Sequence, residues 1–363
     1  MMRLAKWTNR RAGLVPAVLL GLGALPGLAG AKQGNEAQIA AQGEDAAPYM
    51  REDVAAFLEA RKARPMPALT RETLAAIHAM GPAAAAAMGS SDLPVGEMAV
   101  QRELTMPGPG GEMRLKLFDT RAQRGPGPVF VFYHGGGYVL GSIESHAGLA
   151  AEIARQLDLP VISVEYRLAP ENPWPAAVDD GVAAARWIAD NGAALGLGIT
   201  GLVLGGDSAG GNLTLTTAAA LRDDPASVPV VMQVPIYPAT DFAQSYPSQA
   251  LFAEGYGLDA ASTELMTRHY AADPQDPRAS PLLDDLAGLP PTVLVTASLD
   301  PLRDQGRAYA AKLVAAGVPT AFYEARGLIH GFSSYRKAIP SAQDDTIAYL
   351  RLARTMLDMP EGQ

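Results

Sequence analysis

From about residue 97 onward, short apolar runs alternate with longer stretches whose apolar residues have helical spacing. The later runs are almost continuously apolar, which is typical of strands covered on both faces in a parallel sheet. The first two runs are joined by the turn sequence PGPGG, which predicts a hairpin. This alternation after a hairpin predicts an open, mostly parallel α/β sheet flanked by helices. The runs span residues 97–106, 112–119, 128–134, 160–166, 200–206, 229–237, 291–299 and 320–325.

Two parts of the chain do not follow this alternation, and they set the domain boundaries. Residues 32–96 include EDVAAFLEARKA and TRETLAAIHAMG, which predict a helical layer, and Thr70 with Thr73 is a plausible start for its second helix. A long insertion, 241–280, separates the sixth and seventh runs and is more typical of a functional cap than of a structureless loop. The α/β core is therefore predicted over 97–240 and 281–363.

The first 31 residues have the layout of a cleavable export signal. The stretch MMRLAKWTNRR is basic without an acidic residue, and an uncharged apolar stretch, 13–31, follows it and ends in a small-x-small pattern. This stretch is long enough that an uncleaved membrane anchor remains the alternative. Its prolines and glycines favour cleavage, so we expect an exported protein, periplasmic or secreted, with no stable membrane association.

The composition excludes several function classes. There is no cysteine, which excludes disulfides, thiolate zinc sites and a cysteine nucleophile. The formal net charge is −9 and no long basic run is present, so nothing indicates a nucleic-acid partner.

The sequence LVLGGDSAGGN places Ser208 between glycines directly after an apolar run. Gly206 and Gly210 complete a G-x-S-x-G pattern between a predicted strand and a predicted helix, as in a nucleophile elbow. In such a turn the serine hydroxyl is exposed, and side chains on its flanks would collide with neighbouring backbone. A glycine-rich turn that binds a phosphate, or nothing, remains the alternative.

A second glycine motif, His134 to Gly137, ends another run in FVFYHGGGYVLG. Three glycines allow backbone N–H groups to point at one place, which an oxyanion hole requires. A phosphate-cradling loop is the alternative, although the Lys-Ser/Thr of a Walker loop is absent from the sequence here. We expect His134 to organise this loop by hydrogen bonds and not to transfer protons.

An activated serine needs a base and a group that orients the base. His330 follows the last run, and Asp300 follows the run before it, in the order that G-x-S-x-G hydrolases use. Asp304 is the rival acid, but a favourable charge in the first turn of a helix explains it sufficiently. The remaining histidines lie where no catalytic role is expected, and they are His78, His134, His146 and His269.

Taken in order, HGGGYVLG, YRLAPENPWPAAVDD, GDSAGGN, DPRASPL, DPLRDQG and IHGF resemble the motifs of the hormone-sensitive-lipase-like branch of the α/β-hydrolases. These are the bacterial family IV esterases, and GDSAG indicates the subgroup of that name. The resemblance covers about residues 47–358 and implies the α/β-hydrolase fold, with a mostly parallel eight-stranded sheet and a helical cap from both non-core segments. It implies that Ser208 is the nucleophile, Asp300 the acid and His330 the base.

The resemblance also implies an activity and a binding site. It implies a serine carboxylesterase that hydrolyses small short- to medium-chain acyl esters through an acyl-enzyme, with no metal or organic cofactor. Gly135, Gly136 and Ala209 would donate the oxyanion N–H groups. Tyr138 would line the acyl pocket, with ordinary packing as its alternative. A lipase or acyltransferase with the same triad, a non-catalytic small-molecule binding protein on the same fold, and a homodimer all remain open.

Three features depart from the family pattern or need a structural test. Gln305 stands where the family usually has glutamate, and EARGLIHGF is longer before the histidine than expected. Arg167 and Glu171 of YRLAPE are a candidate ion pair near the sheet.

Overall fold

The computed structural model describes residues 48–63, 70–87 and 91–359. The predicted export signal, 1–31, lies outside these residues, as does the start of the predicted helical layer. None of the helices in the described ranges is long and apolar enough to cross a membrane.

Eight strands form one sheet, in the order β1-β2-β4-β3-β5-β6-β7-β8. The first two strands form the predicted hairpin and β2 pairs antiparallel with β4, whereas every other neighbouring pair is parallel. The predicted mostly parallel α/β sheet is therefore confirmed. The strands are β1 Val100–Gly108, β2 Gly111–Asp119, β3 Gly127–Tyr133, β4 Val161–Val164, β5 Ile199–Asp207, β6 Val230–Ile236, β7 Thr292–Leu299 and β8 Thr320–Ile329.

Helices occupy every connection from β3 to β8, and in the described residues others precede β1 and follow β8. The one with the clearest start is Arg71–Met80, where Thr70 and Thr73 form a reciprocal capping box, as their positions in the sequence predict. The helices are α1 Glu52–Ala63, α2 Arg71–Met80, α3 Pro82–Ala87, α4 Ala147–Leu157, α5 Ala176–Asp190, α6 Gly192–Leu195, α7 Ala209–Asp223, α8 Pro247–Leu251, α9 Ala260–Tyr270, α10 Arg303–Ala315 and α11 Ser341–Leu357.

Strand β3 shows why the central runs are continuously apolar. Val129, Val131 and Tyr133 contribute to the core on one face of the sheet. Phe130 and Phe132 contribute to the core on the opposite face. All five side chains are fully buried, so alternate residues along the strand all need to be apolar.

The two non-core segments meet above the glycine loop. The first segment contains α1 to α3, and the insertion contains α8 and α9. Leu74 of α2 and Met266 of α9 belong to one apolar cluster with Val139, which follows the glycines. We call these two segments the cap segments.

The extra length before His330 forms an irregularity in β8. The register of β7 and β8 shifts between Ala297 and Leu299, and Gly327 adopts a φ of 75° there. The Gly327 N–H donates to Ser298 Oγ at 2.8 Å. Beyond this irregularity Leu299 is paired with Ile329, so the two strands end side by side.

A buried ion pair ties the end of the first cap segment to the chain after His330. Arg336 donates from Nε and Nη2 to the two carboxylate oxygens of Asp92, each at 2.7 Å, and both side chains are buried. The Ser91 carbonyl also accepts the N–H groups of Lys337 and Ala338.

We expect Arg336→Met to lower the free energy of unfolding by about 3–5 kcal/mol, because it leaves the Asp92 carboxylate buried without its cation. Urea unfolding of the variant and the wild type measures the difference. The double variant Arg336→Met/Asp92→Leu removes both charges and should recover most of the loss. A double variant as unstable as the single one would contradict this explanation.

Candidate active site

The carboxyl ends of three strands bring the predicted nucleophile, acid and base together. Because Leu299 and Ile329 are paired, the residues that follow them, Asp300 and His330, lie side by side. His330 Nδ1 is 2.7 Å from Asp300 Oδ2, and His330 Nε2 is 2.8 Å from Ser208 Oγ. A carboxylate only accepts, so Nδ1 donates to Asp300 and Nε2 presents its lone pair to the serine hydroxyl.

The turn at Ser208 is strained, and its geometry explains the flanking glycines. Ser208 has φ 55° and ψ −114°, a conformation that non-glycine residues rarely adopt. Its N–H donates to the Ile236 carbonyl at 2.8 Å, which ties the turn to the neighbouring strand β6. A Cβ at Gly206 or Gly210 would clash with the Tyr133 carbonyl of β3. The glycines therefore allow three backbones to meet directly behind the serine.

The rival carboxylate, Asp304, has a different role. Its Oδ2 accepts the Ser248 N–H at 2.9 Å and its Oδ1 accepts from Arg303 Nε at 2.7 Å. Partial burial would raise the pKa of Asp304, but the Arg303 guanidinium outweighs it and holds that pKa below its usual value. Asp304 thus fastens α8 of the cap segments to the start of α10, whereas Asp300 contacts His330.

The assignment of Gly135 as an oxyanion donor is wrong. Its N–H donates to Asp207 Oδ1 at 2.8 Å, so it is not free to bind an oxyanion. The next two glycines have no hydrogen bond from their N–H groups to other residues in the described part of the chain. Gly136 and Gly137 have φ values of 121° and 61°, in the region that favours glycine.

The prediction that Tyr138 lines an acyl pocket is not supported. Its side chain is buried and stacks on Tyr270 with ring centroids 3.6 Å apart and the planes 2° from parallel. Its hydroxyl is buried without a hydrogen-bond partner in the described residues. The structure shows the alternative that the sequence left open, which is packing in the core.

His134 organises the glycine loop, as expected. Burial and the neighbouring His146 lower the pKa of His134 to about 3, so its ring is neutral. The Nδ1–H donates to the Gly135 carbonyl at 2.8 Å, and the ring stacks on Tyr166 with centroids 4.2 Å apart. The Tyr166 hydroxyl donates to the His134 carbonyl at 2.7 Å.

Sequence reasoning missed one aromatic residue at this site. Tyr237 follows β6 directly and has a φ of 36°, which is unusual for a residue of its size. Its ring centroid lies 4.9 Å from that of His330 at an interplanar angle of 59°. Its position after the strand next to β5 was the available signal, because parallel strands end at one edge of the sheet.

The YRLAPE motif pairs differently from the sequence prediction. Arg167 binds the Asp180 carboxylate, with Nη2 and Oδ1 2.8 Å apart, and not Glu171. Glu171 instead lies 3.0 Å from Nδ1 of His78 on α2. Arg167 thus anchors α5, and Glu171 contacts the first cap segment.

Gln305 preserves the acceptor that a glutamate would offer. Its Oε1 accepts the N–H groups of Thr240 and Asp241 at 2.6 Å and 2.9 Å. The side chain is buried, and a neutral amide places no charge there.

Known proteins are similar to this chain in sequence and in structure over most of its length. Residues 130–334 match the family of the alpha/beta hydrolase fold. Esterase LipI of Mycobacterium tuberculosis (strain ATCC 25618 / H37Rv) is 37% identical over 262 residues, which are 70% of this chain and 82% of LipI. Ethyl acetate hydrolase of Pseudomonas putida is 39% identical over 225 residues, which are 61% of this chain and 71% of that protein.

Two solved structures are similar over a larger share of the chain. An alpha/beta hydrolase enzyme from the metagenome of Lake Arreo, in Spain, has a TM-score of 0.79 and 35% identity, and covers 86% of this chain and 99% of its own. The Pyrobaculum calidifontis esterase has a TM-score of 0.74 and 32% identity, and the match covers 85% of this chain and 100% of the esterase chain. The fold and the order of its motifs define an α/β hydrolase. The chain belongs to the hormone-sensitive-lipase-like branch of that superfamily.

Proposed function

We propose that this protein is a serine carboxylesterase that hydrolyses short- to medium-chain acyl esters through an acyl-enzyme intermediate. The observation that carries the proposal is the continuous hydrogen-bond chain from Asp300 through His330 to Ser208. Relatives named esterase and ethyl acetate hydrolase support ester bonds as the target.

The geometry supports a two-stage reaction. His330 Nε2 takes the proton from Ser208 Oγ as that oxygen attacks the ester carbonyl, and the imidazolium then protonates the leaving alcohol oxygen. In the second stage water attacks the acyl carbonyl while Nε2 takes a proton from that water. The bond between the acyl carbon and Ser208 Oγ then breaks, and the imidazolium returns the proton to Oγ. Asp300 fixes the ring so that Nε2 faces the serine, and it stabilises the positive ring in both stages.

The oxyanion site is assigned to the N–H groups of Gly136, Gly137 and Ala209. The first two lie in the loop beside the elbow and have no hydrogen-bond acceptor among the residues that the structure describes. Ala209 is the first residue of α7, whose opening N–H groups have no partner within the helix. The positive end of the helix dipole adds to the attraction for a developing negative charge.

The cap segments support a preference for small acyl groups. They pack on the glycine loop through Leu74 and Met266, so ester substrates approach beneath a covered surface. The non-catalytic alternative is disfavoured because the triad side chains are all present and mutually bonded. Lipase action and acyl transfer use the same residues and differ in the acyl length or the acceptor.

Initial rates on p-nitrophenyl esters from acetate to laurate test the proposal. We expect kcat/KM to peak at short or medium acyl lengths and to fall steeply at laurate, because the covered site limits chain length. Tyr138→Phe is the matched control, since it removes only a buried hydroxyl, and its length profile should follow the wild type. A maximum at laurate would favour a lipase, and no hydrolysis at any length would favour the binding protein.

A further inference from the structure

A buried ion pair lies next to the nucleophile and outside the triad. Asp207 immediately precedes Ser208, and its Oδ1 is 3.4 Å from Nε2 of His146, at the start of α4. Both side chains are buried. The same oxygen, Oδ1, accepts the Gly135 N–H. One carboxylate therefore contacts both a histidine and the oxyanion loop.

The hydrogen-bond partners of His146 are compatible with a proton on each ring nitrogen. The Ser145 hydroxyl lies 3.0 Å from the Ser142 carbonyl and 2.8 Å from His146 Nδ1, and when it donates its single proton to the carbonyl it accepts from Nδ1. Nε2 faces the Asp207 carboxylate, which only accepts. In this arrangement the imidazolium donates to both partners.

The surrounding charges favour the same state. Burial would lower the pKa of His146, but the Asp207 carboxylate outweighs it and raises that pKa above its ordinary value. Burial would raise the pKa of Asp207, but His146 outweighs it and lowers that pKa. Within the described residues, other titratable or charged groups near the pair are neutral His134, the acids Asp92, Glu144 and Glu165, the buried tyrosines Tyr166, Tyr237 and Tyr349, and the arginines Arg114 and Arg336.

The position of Asp207 makes its charge matter to the reaction. A buried carboxylate one residue from Ser208 repels the negative oxygen that forms during attack on an ester. The His146 imidazolium compensates this charge while leaving the carboxylate able to hold Gly135. With that N–H engaged by Asp207, the next two glycine N–H groups, which have no acceptor in the described part of the chain, are the donors that the proposal gives to the oxyanion.

We propose that His146 is a positioning residue of the oxyanion site, which in its imidazolium form neutralises Asp207 and keeps the Asp207 carboxylate bound to the Gly135 N–H. The proposal rests on the ester-hydrolysis mechanism above. It implies that losing the positive charge at this position weakens transition-state binding while substrate binding changes little. Because the folded-state pKa of His146 is raised, the support is present at pH values below the ordinary pKa of histidine and is lost as the pH rises through the raised pKa.

A double-mutant cycle between His146 and Asp207 tests the proposal. His146→Gln keeps an N–H donor near the carboxylate but removes the charge, and we expect kcat to fall about 10–30-fold with KM within about twofold. In an Asp207→Asn background no charge needs neutralising, so the same substitution should cost less than about threefold. Active-site titration corrects each rate for the concentration of competent enzyme.

The pH profile supplies the second readout. The alkaline decline of kcat that deprotonation of His146 causes in the wild type should be absent from His146→Gln, whereas the acid limb should stay in place. Should His146→Gln fail to fold, Asp207→Asn alone tests the same point, since its kcat should also lose the alkaline decline. Equal costs in both backgrounds, or an unchanged alkaline limb, would overturn the proposal. A wild type that hydrolyses no ester would instead contradict the proposed function.

Discussion

Replacing Ser208 with alanine is expected to lower kcat on p-nitrophenyl esters by about 10⁴–10⁶-fold. The substitution removes the oxygen that lies 2.8 Å from His330 Nε2, so no covalent intermediate can form at this position. The fold should be retained, because the strained turn is held by the backbone bond from Ser208 N–H to the Ile236 carbonyl. Steady-state rates and thermal unfolding of the same preparation measure both effects.

A serine in the cap segments supplies the matched control. Ser262 lies on α9 and is not part of the hydrogen-bond chain Asp300–His330–Ser208, so Ser262→Ala should leave kcat within about twofold of the wild type. If Ser208→Ala kept more than about a tenth of the wild-type kcat, another residue would be the nucleophile. The glycines on either side of Ser208 would then serve only the turn.

Asp300→Asn is expected to lower kcat by about 10⁴-fold with a smaller effect on KM. The Asp300 carboxylate accepts the Nδ1–H of His330 and stabilises the positive ring that forms when the serine is deprotonated. An amide can direct its NH₂ group at Nδ1, which favours the tautomer whose Nε2 carries the proton and cannot accept one. Single-turnover measurement of the acylation rate tests this step directly.

Asp304→Asn is the control for this prediction, because Asp304 follows the same strand and bonds Ser248 and Arg303 instead of His330. We expect it to change kcat less than about tenfold and to act mainly on stability. If Asp304→Asn lost most of its kcat while Asp300→Asn kept a nearly wild-type kcat, Asp304 and not Asp300 would be the catalytic acid.

The sequence was sufficient to predict the triad because parallel strands end at one edge of the sheet. Asp300 follows its apolar run directly, and Ser208 and His330 come within five residues after theirs, so their proximity is expected from strand order. The irregularity at Gly327 absorbs the unexpected length before His330 without moving the strand end. The position of a residue after an apolar run can be read from the sequence without knowledge of side-chain contacts.

The errors concern contacts between residues far apart in the chain. Whether the Gly135 N–H is free depends on the rotamer of Asp207 in another strand, which no local pattern encodes. Tyr138 turned out to be stacked on Tyr270 of a cap helix, a partner that lies beyond several other elements in sequence. Arg167 pairs with Asp180 and not with Glu171 because of how α5 packs, which the local sequence does not encode either.

The most direct test of the serine-esterase account is peptide mapping by mass spectrometry after reaction with a p-nitrophenyl phosphonate ester. Such a reagent phosphonylates an activated serine and releases p-nitrophenol. The account predicts a single adduct on Ser208 whose formation parallels the loss of esterase activity, and no adduct in Ser208→Ala. Full loss of activity with the adduct on a different residue, or hydrolysis that persists with Ser208 fully modified, would contradict it.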